Sequence, residues 1–224
     1  MKIAILGGTG KEGAGLGLRW AAAGHEIIIG SRLEEKGAKA AQQLMSLLEG
    51  VPGVTVSGTD NLSAANQAEL IVLSVPYSAQ QATLNDVNDA LQGKLLITVV
   101  VPIGKPAGRV WVPEGGSAAA EAQAQLGEGV RVVTAFQNIS AEHLSEPDHD
   151  VDCDVLVCGN KKADREVAIT LAADAGMRGV HAGSLTNSSV VEGLTAVMIA
   201  VNVRYGIKNA GIRITGIDNT ENGG

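Results

Sequence analysis

The sequence predicts an α/β protein with a doubly wound, mostly parallel sheet and a small α/β extension at its C-terminal end. Short apolar runs alternate with helical segments along the 224 residues, as in chains of β-α-β units. Apolar residues make up 45% of the chain, but aromatic residues only 2%. The core must therefore consist of Val, Ile, Leu and Ala, which suits parallel strands covered by helices on both faces.

The first 30 residues predict one complete β-α-β unit. Lys2–Leu6 is a short apolar strand, Ala14–Ala23 is a helix rich in Ala and Leu that ends at Gly24, and His25–Gly30 is a second strand rich in Ile. Between the first strand and the helix, residues 8–13 match the pattern G-x-G-x-x-G. A strand before this pattern and a helix after it are the context of the Rossmann dinucleotide fold.

Each glycine of the pattern has a predicted role. Gly8 permits the tight turn, Gly10 lets a pyrophosphate approach the backbone, and Gly13 lets the helix lie close to the sheet. The N–H groups at the start of the helix would then face the phosphate charge. The alternative is a glycine-rich turn without a ligand, in a chain with 29 glycines. The complete β-α-β unit around the pattern favours the dinucleotide site.

The end of the second strand predicts NADP(H) rather than NAD(H). NAD-binding proteins usually place an acidic residue there, which holds the ribose 2'-hydroxyl. This chain has Ser31 and Arg32, with Lys36 one turn into the next helix. A hydroxyl, a guanidinium and an ammonium group suit a 2'-phosphate. Alternatively, Arg32 and Lys36 belong to a solvated helix start and pair with Glu34 and Glu35.

The remaining elements continue the alternation of strands and helices. We expect a helix at 37–48, a strand at 54–57, a helical turn at 61–66 with Leu62 and Ala65 facing inward, a strand at 70–75, a helix at 78–91, a strand at 94–101, a helix at 118–126 capped by Ser117, strands at 130–136 and 153–159, a helix at 161–175, a strand at 179–182 and a long helix at 184–201. The loop at 102–117 contains three of the six prolines and is too long for a plain connector.

The predicted domains are an NADP-binding Rossmann domain at 1–141, a small C-terminal domain at 142–217 and a disordered tail at 218–224. The polar segment at 142–152 marks the boundary, and the second domain ends in the alternating sequence GIRITGI. Ligands of open α/β sheets bind beyond the carboxyl ends of the strands. We therefore expect four stretches at that edge to converge on one cleft: residues 7–13, 74–77, 101–106 and 137–141.

Composition argues against several classes of partner. The net charge is −7 and no basic run occurs, which argues against nucleic acid and against an anionic membrane surface. We expect no transmembrane helix, because no long stretch is free of polar groups, and no signal peptide, because the first strand begins at residue 2. Two cysteines are too few for a disulfide framework, which predicts a reduced, cytoplasmic protein.

The chain offers weak candidates for a metal site and none for acid–base catalysis. His143, His149, Cys153 and Cys158 have a spacing that fits no usual zinc pattern, so structural roles are favoured. We therefore predict no bound metal. Neither a Ser-His-Asp order nor paired carboxylates stand out, so we predict no catalytic side chain. Hydride passing directly between two bound coenzymes needs geometry rather than a general acid or base.

Eight motifs spread over almost the whole chain carry a family resemblance: MKIAILGGTGKEG, GHEIIIGSR, LSVPY, VVVP, VVTAFQNISA, DVLVCGN, SLTNSSVVEGLT and GIKNAGIRITG. The first two are generic to Rossmann proteins, whereas the C-terminal ones are much more specific. With them, the chain resembles the NADPH:coenzyme F420 oxidoreductases, also called F420-dependent NADP reductases. The resemblance implies reversible hydride transfer between NADP(H) and the 8-hydroxy-5-deazaflavin coenzyme F420, which lies between the two domains. It also implies a homodimer.

The resemblance further implies which residues bind the two coenzymes. By motif they are Thr9, Gly10, Lys11 and Glu12 at the pyrophosphate, beside Gly8 and Gly13; Ser31, Arg32 and Lys36 at the 2'-phosphate; Val75, with the adjoining Pro76, Val101 and Ala141 in the nicotinamide half; and Gln137, Thr195 and the backbone near Ala210 at the deazaflavin. Some members of the family have His where this chain has Gln137. Glutamine can form hydrogen bonds there but cannot take a proton.

Two other functions stay open at this point. The first is another NADP-dependent reductase, acting on a small imine, a flavin or a metal complex. Such enzymes usually add a long helical C-terminal domain, and this chain has only 40 residues after Ser184. The second is a non-catalytic NADP(H) sensor that reports to a protein partner, which would need an exposed apolar docking patch.

Overall fold

The computed structural model describes residues 1–145 and 151–217. Its strands are β1 (Lys2–Leu6), β2 (Glu26–Ser31), β3 (Thr55–Asp60), β4 (Leu70–Leu73), β5 (Leu95–Thr98), β6 (Arg131–Thr134), β7 (Asp154–Gly159) and β8 (Arg178–His181). Its helices are α1 (Lys11–Ala22), α2 (Glu34–Leu47), α3 (Asn61–Gln67), α4 (Tyr77–Leu91), α5 (Ala118–Leu126), α6 (Ala141–Leu144), α7 (Lys162–Asp174) and α8 (Ser188–Tyr205). A short 3-10 helix, Leu185–Asn187, directly precedes α8.

The strands form one sheet in the order β3-β2-β1-β4-β5-β6-β7-β8. The strands from β3 to β6 in this order are all parallel. β7 runs antiparallel to β6, and β8 runs parallel to β7. The chain changes direction across the sheet between β1 and β4, which is where doubly wound proteins bind their ligands. The predicted doubly wound, mostly parallel α/β fold is confirmed.

The sheet separates two apolar layers. One layer packs α1, α2 and α7 against the sheet and contains Leu16, and the other packs α3, α4 and α5 and contains Leu84. Aliphatic side chains fill both layers, as the composition predicts. Two aromatic side chains are fully buried, Trp20 and Phe136, and they meet edge to face with their ring centroids 5.6 Å apart.

The sequence prediction that Leu62 faces inward was wrong. Asp60 caps α3 by accepting a hydrogen bond from the N–H of Ser63 at 2.8 Å. This cap fixes the start of the helix at Asn61, so Ala64 and Ala65 face the core. Leu62 then lies on the other face, where 46% of it is exposed.

The C-terminal segment after α8, with its alternating sequence GIRITGI, does not form a strand at residues 211–217. Residues 211–217 have irregular backbone and turns and lie against the start of β7. The N–H of Asp154 donates to the carbonyl of Ile212 at 2.7 Å, and the Asp154 carboxylate accepts from the N–H of Ile214 at 2.6 Å. The guanidinium of Arg178 binds the two oxygens of the same carboxylate at 2.8 and 2.6 Å.

The C-terminal extension continues the sheet of the N-terminal part through β7 and β8. The division into domains at residue 141 stays a prediction, and the predicted tail at 218–224 lies outside the described residues. In the described parts of the chain, no helix has both the length and the apolar character to cross a membrane.

Candidate dinucleotide and hydride-transfer site

The loop after β1 is shaped by close backbone contacts. The N–H of Gly8 donates to the carbonyls of Ile5 and Gly30, at 3.2 and 3.0 Å. The positive φ of this turn, 74°, falls on Gly7, one residue before the glycine of the predicted tight turn. Gly8 is needed for another reason, because a Cβ there would lie 2.9 Å from the carbonyl oxygen of Ile5.

The other two glycines of the pattern differ in what surrounds them. A Cβ on Gly13 would lie 2.9 Å from the Cα of Gly8 and 3.0 Å from the hydroxyl of Ser74, so the closeness of α1 to the sheet demands glycine. A Cβ on Gly10 would come no closer than 3.8 Å to the protein. The fold therefore does not itself need glycine at position 10, and the open space beside it fits an approaching pyrophosphate.

The first turn of α1 presents its donors to that space. Gly10 is the N-cap residue of α1, and Thr9, Gly10 and Lys11 are all exposed. Free N–H groups at a helix start attract a phosphate. Glu12 is half-buried, and its Oε1 atom is buried without a hydrogen-bond partner in the described parts of the chain. Burial raises the pKa of Glu12 to about 8, so the side chain is mostly neutral near pH 7 and does not repel an anion there.

The two cationic side chains that are predicted to bind the 2'-phosphate are accessible to a ligand. Ser31 is the last residue of β2 and is buried, whereas Arg32 and Lys36 are exposed. Among the residues that the structure describes, neither Arg32 nor Lys36 pairs with a carboxylate. The alternative in which Glu34 and Glu35 neutralise them is therefore not the arrangement found.

An acid does stand beside Ser31, because Asp60 is its register partner on β3. Its carboxylate is occupied as the N-cap of α3, and its hydrogen bonds with Ser63 hold the pKa of Asp60 below its ordinary value. Asp60 therefore serves the fold, and Arg32 and Lys36 set the charge at the end of β2.

The residues predicted for the nicotinamide half follow the carboxyl ends of β4, β5 and β6. Val75 and Val101 are half-buried, Pro76 is exposed, and Ala141 is half-buried at the start of α6. Val75 also packs on the glycine loop, since a Cβ on Gly7 would collide with its side chain. Together they offer small aliphatic surfaces at the edge of the sheet next to the loop.

Gln137 points into the protein rather than into open solvent. The residue is 3% exposed, and its Nε2 donates to the backbone carbonyl of Thr98 at 2.6 Å. The backbone carbonyl of Gln137 accepts from the hydroxyl of Thr195 at 2.7 Å. Its Oε1 is buried and has no hydrogen-bond partner among the residues that the structure describes. That acceptor can still take a hydrogen bond from a ligand at the strand end, so the role of Gln137 in binding stays a prediction.

The two C-terminal residues of the prediction meet the same edge of the sheet. Thr195 reaches it through Gln137, and Ala210 lies beside a cavity of about 310 Å³ that also contacts Asn138 and Ser140. The N–H of Ala210 donates to Asn202 at 2.9 Å, so α8 itself fixes the segment that follows it. The structure brings Thr195, Gln137 and Ser140 into one neighbourhood.

The cysteines and histidines of the sequence do not form a metal site where the structure describes them. Cys153 and Cys158 are free and buried, and burial raises the pKa of both thiols. No group of three potential ligands occurs within residues 1–145 and 151–217. His149 lies outside these ranges.

Sequence reasoning missed Glu192, which is 2% exposed on α8. Its carboxylate accepts from the N–H groups of Ala118 and Ala119, at 2.7 and 3.1 Å. Burial raises its pKa to about 7, with the two N–H bonds opposing that rise. The signal in the sequence was a lone acid within an otherwise apolar helix, which needs a partner if it is buried.

The fold and the loop after β1 define a Rossmann-type dinucleotide-binding protein. The family described as NADP oxidoreductase coenzyme F420-dependent matches residues 2–102. The chain is 42% identical to the F420-dependent NADP reductase of Methanothermobacter marburgensis, over 97% of this chain and 99% of that protein. This chain belongs to the family of F420-dependent NADP reductases.

Solved structures agree with this placement. A crystal structure from Arthrobacter sp. FB24, assigned as an F420-dependent NADP-reductase, has a TM-score of 0.79 and 27% identity, over 96% of this chain and 99% of that chain. The NADP-bound pyrroline carboxylate reductase of Plasmodium falciparum is similar in fold alone, with a TM-score of 0.56 and 14% identity. That similarity covers 92% of this chain but 67% of the other, so the other chain is longer.

Proposed function

We propose that this protein catalyses reversible hydride transfer between NADP(H) and coenzyme F420. The observation that carries the proposal is membership of the F420-dependent NADP reductase family along nearly the full chain. The glycine loop supports it. The fold itself does not require glycine at position 10, and the lack of a side chain there leaves room for a pyrophosphate. The unpaired Arg32 and Lys36 support the choice of NADP(H), since both suit a 2'-phosphate.

The chain contributes binding and alignment to this reaction. The first turn of α1 and the end of β2 hold the dinucleotide at its pyrophosphate and its 2'-phosphate. Val75, Pro76, Val101 and Ala141 provide an aliphatic wall that orients the nicotinamide, and Thr195 with the backbone near Ala210 provides the opposite wall. Bound together, the two coenzymes supply the hydride donor and acceptor, so proximity lowers the barrier by several kcal/mol and no protein acid or base takes part.

A second copy of the chain is the proposed partner of α8. On this helix Val190, Val197, Val203 and Tyr205 are exposed. Beside it, the exposed Val110 and Val112 and helix α5 border an apolar groove of about 860 Å³. Such a continuous apolar surface is typical of a subunit interface, and we place the dimer in the cytoplasm, where its free thiols stay reduced.

The dimer is tested by light scattering after size-exclusion chromatography. Val197→Asp puts a charge on the exposed apolar face of α8 and should convert a dimer into a folded monomer. A wild-type protein that elutes as a monomer at all concentrations would contradict the dimer. In that case the same surface would favour the alternative of an NADP(H) sensor that docks on another protein.

The activity is tested with NADPH and purified coenzyme F420, by following the loss of the visible absorbance of the oxidised deazaflavin. Turnover with NADPH and little with NADH is expected. Tight binding of NADPH without reduction of F420 would overturn the proposal and favour a reductase of imines, flavins or metal complexes, which can be screened as acceptors by following the oxidation of NADPH. Gly10→Val, which should not bind NADPH, is the negative control.

A further inference from the structure

One face of α8 is joined to its neighbours by polar contacts, beside the apolar packing of Val191 on Leu156 and Cys158 of β7. Ser188, Glu192 and Thr195 stand at positions i, i+4 and i+7, which share one helix face. The Ser188 hydroxyl lies 2.9 Å from that of Thr134 on β6, and Thr195 donates to the carbonyl of Gln137. Glu192 lies between these two contacts and binds the first turn of α5.

The contact of Glu192 is the one that joins α8 to a second helix. Each carboxylate oxygen accepts one N–H, Oε2 from Ala118 and Oε1 from Ala119. These are the free donors at the start of α5, where the helix dipole also favours a negative charge. Glu192 is 2% exposed, and the described residues include no cation that pairs with it.

The start of α5 is itself held from two other sides. The carbonyl of Ala118 accepts from Nε2 of Gln80 on α4 at 2.8 Å. Glu121, one turn further along α5, accepts from the hydroxyl of Tyr77 at 2.7 Å and from the N–H of Gly115 at 3.2 Å. The N-terminal end of α5 is therefore a fixed point, to which Glu192 attaches α8.

The opposite end of the polar face leads to the candidate site. Glu192 precedes Thr195 by one turn of helix, and Thr195 binds the backbone of Gln137. Gln137 in turn donates to Thr98, the last residue of β5. A shift of α8 would consequently move Thr195 and Gln137 together, at the carboxyl edge where the two coenzymes are proposed to meet.

We propose that Glu192 is a positioning residue for the hydride transfer: by anchoring α8 on the start of α5, it sets the distance of Thr195 and Gln137 from the nicotinamide half of the site. This role rests on the proposed function. In this role Glu192 touches neither coenzyme. It acts on the proposed deazaflavin side of the cleft and leaves the glycine loop after β1 unchanged.

The test compares two variants at the same helix start. Glu192→Gln keeps the shape of the side chain, but its NH2 group would face an N–H donor, so one of the two bonds is lost. Ser117→Ala removes the N-cap bond, 2.9 Å long, that the Ser117 hydroxyl accepts from the N–H of Ala120, and leaves both Glu192 bonds in place. Glu192→Asp, which keeps the charge but is too short to reach both donors, is the second test variant.

The expected results distinguish a positioning role of Glu192 from an effect on stability alone. Glu192→Gln should raise the KM for F420 and lower kcat, by about tenfold in kcat/KM, because small displacements of reacting groups slow a reaction strongly. The Kd for NADPH should stay within about twofold, and Glu192→Asp should fall between the wild type and Gln. Ser117→Ala should lower the melting temperature while leaving the kinetics with F420 close to wild type. Hydrogen exchange at residues 188–205 should rise in Glu192→Gln.

Four outcomes would count against the inference. Unchanged F420 kinetics in a destabilised Glu192→Gln would make Glu192 a structural cap only. Equal kinetic losses in Glu192→Gln and Ser117→Ala would assign the effect to the start of α5 rather than to the anchor. If the wild-type protein itself does not reduce F420, the proposed function fails and the positioning role with it, whereas unchanged hydrogen exchange in Glu192→Gln would overturn the anchor alone.

Discussion

The glycine loop after β1 and the polar face of α8 are built in opposite ways. The loop consists of backbone from one short stretch, and glycines at positions 7, 8 and 13 allow its close contacts. The polar face of α8 consists of side chains that meet partners more than 50 residues away in sequence. A local motif therefore forms the proposed NADP(H) side of the site, and long-range packing forms the proposed deazaflavin side.

This difference predicts that each side can be broken alone. The largest effect is expected from Gly10→Val. Its side chain would fill the space left for the pyrophosphate, so NADPH affinity should fall by about 100-fold or more. Stability should change little, because the new Cβ would come no closer than 3.8 Å to any residue other than its chain neighbours. Isothermal titration with NADPH and thermal melting measure both. Retained affinity would mean that the loop is only a turn.

The corresponding change on the proposed deazaflavin side is Asp154→Asn, which breaks the ion pair with Arg178. Burial alone would raise the pKa of Asp154, but Arg178 and the N–H of Ile214 together hold it below its ordinary value. The paired carboxylate stabilises the fold above pH 4, and this contribution is lost as pH falls through the lowered pKa. Breaking the pair should cost about 3 kcal/mol in urea unfolding at pH 7. NADPH affinity of the folded variant should persist, and its loss would show that the two sides are coupled.

Arg32→Glu tests which dinucleotide the proposed NADP(H) side prefers. An acid at the end of β2 would repel the 2'-phosphate and suit a 2'-hydroxyl. The Kd for NADPH should rise by about 30- to 100-fold, whereas that for NADH should rise little or even fall. Competitive binding of the two reduced dinucleotides checks this, with Lys39→Glu, further along α2, as the charge-matched control. Equal effects on both dinucleotides would contradict the NADP(H) assignment.

The smallest effect concerns Glu12. Because burial raises its pKa to about 8, the side chain is neutral below that pH and becomes a carboxylate beside the proposed pyrophosphate above it. NADPH affinity should therefore weaken by a few-fold between pH 7 and pH 9, since like charges repel. Glu12→Gln should flatten this dependence. A wild-type affinity that is constant over this range would separate Glu12 from the phosphate site.

The parts of the fold that local sequence determines were predicted closely. β1 and α5 have the predicted bounds, because an apolar run followed by glycines defines the first and the Ser117 cap defines the start of the second. The antiparallel direction of β7 was not predicted, since pairing direction depends on contacts between distant segments. Leu62 was misplaced because the Asp60 cap, not the apolar pattern, sets the phase of α3.

The candidate site divides in the same manner. The glycines and the cations at the end of β2 follow from spacing along one β-α-β unit. Glu192 and the inward orientation of Gln137 could not be derived, because each depends on donors or acceptors more than 35 residues away. A lone acid in an apolar helix indicates that a partner exists, but the sequence does not say which.

The two tryptophans of the chain stand in opposite surroundings. Trp20 is fully buried in the layer beneath α1, and its indole N–H donates to the carbonyl of Leu171 at 2.8 Å. Trp111 is 47% exposed on the loop after β5, where its ring contacts Tyr77 at a centroid distance of 5.6 Å. We accordingly expect the intrinsic fluorescence of this protein to have two components of different wavelength. The short-wavelength one should report unfolding, and the quencher-accessible one should report events at the loop and the surface of α8.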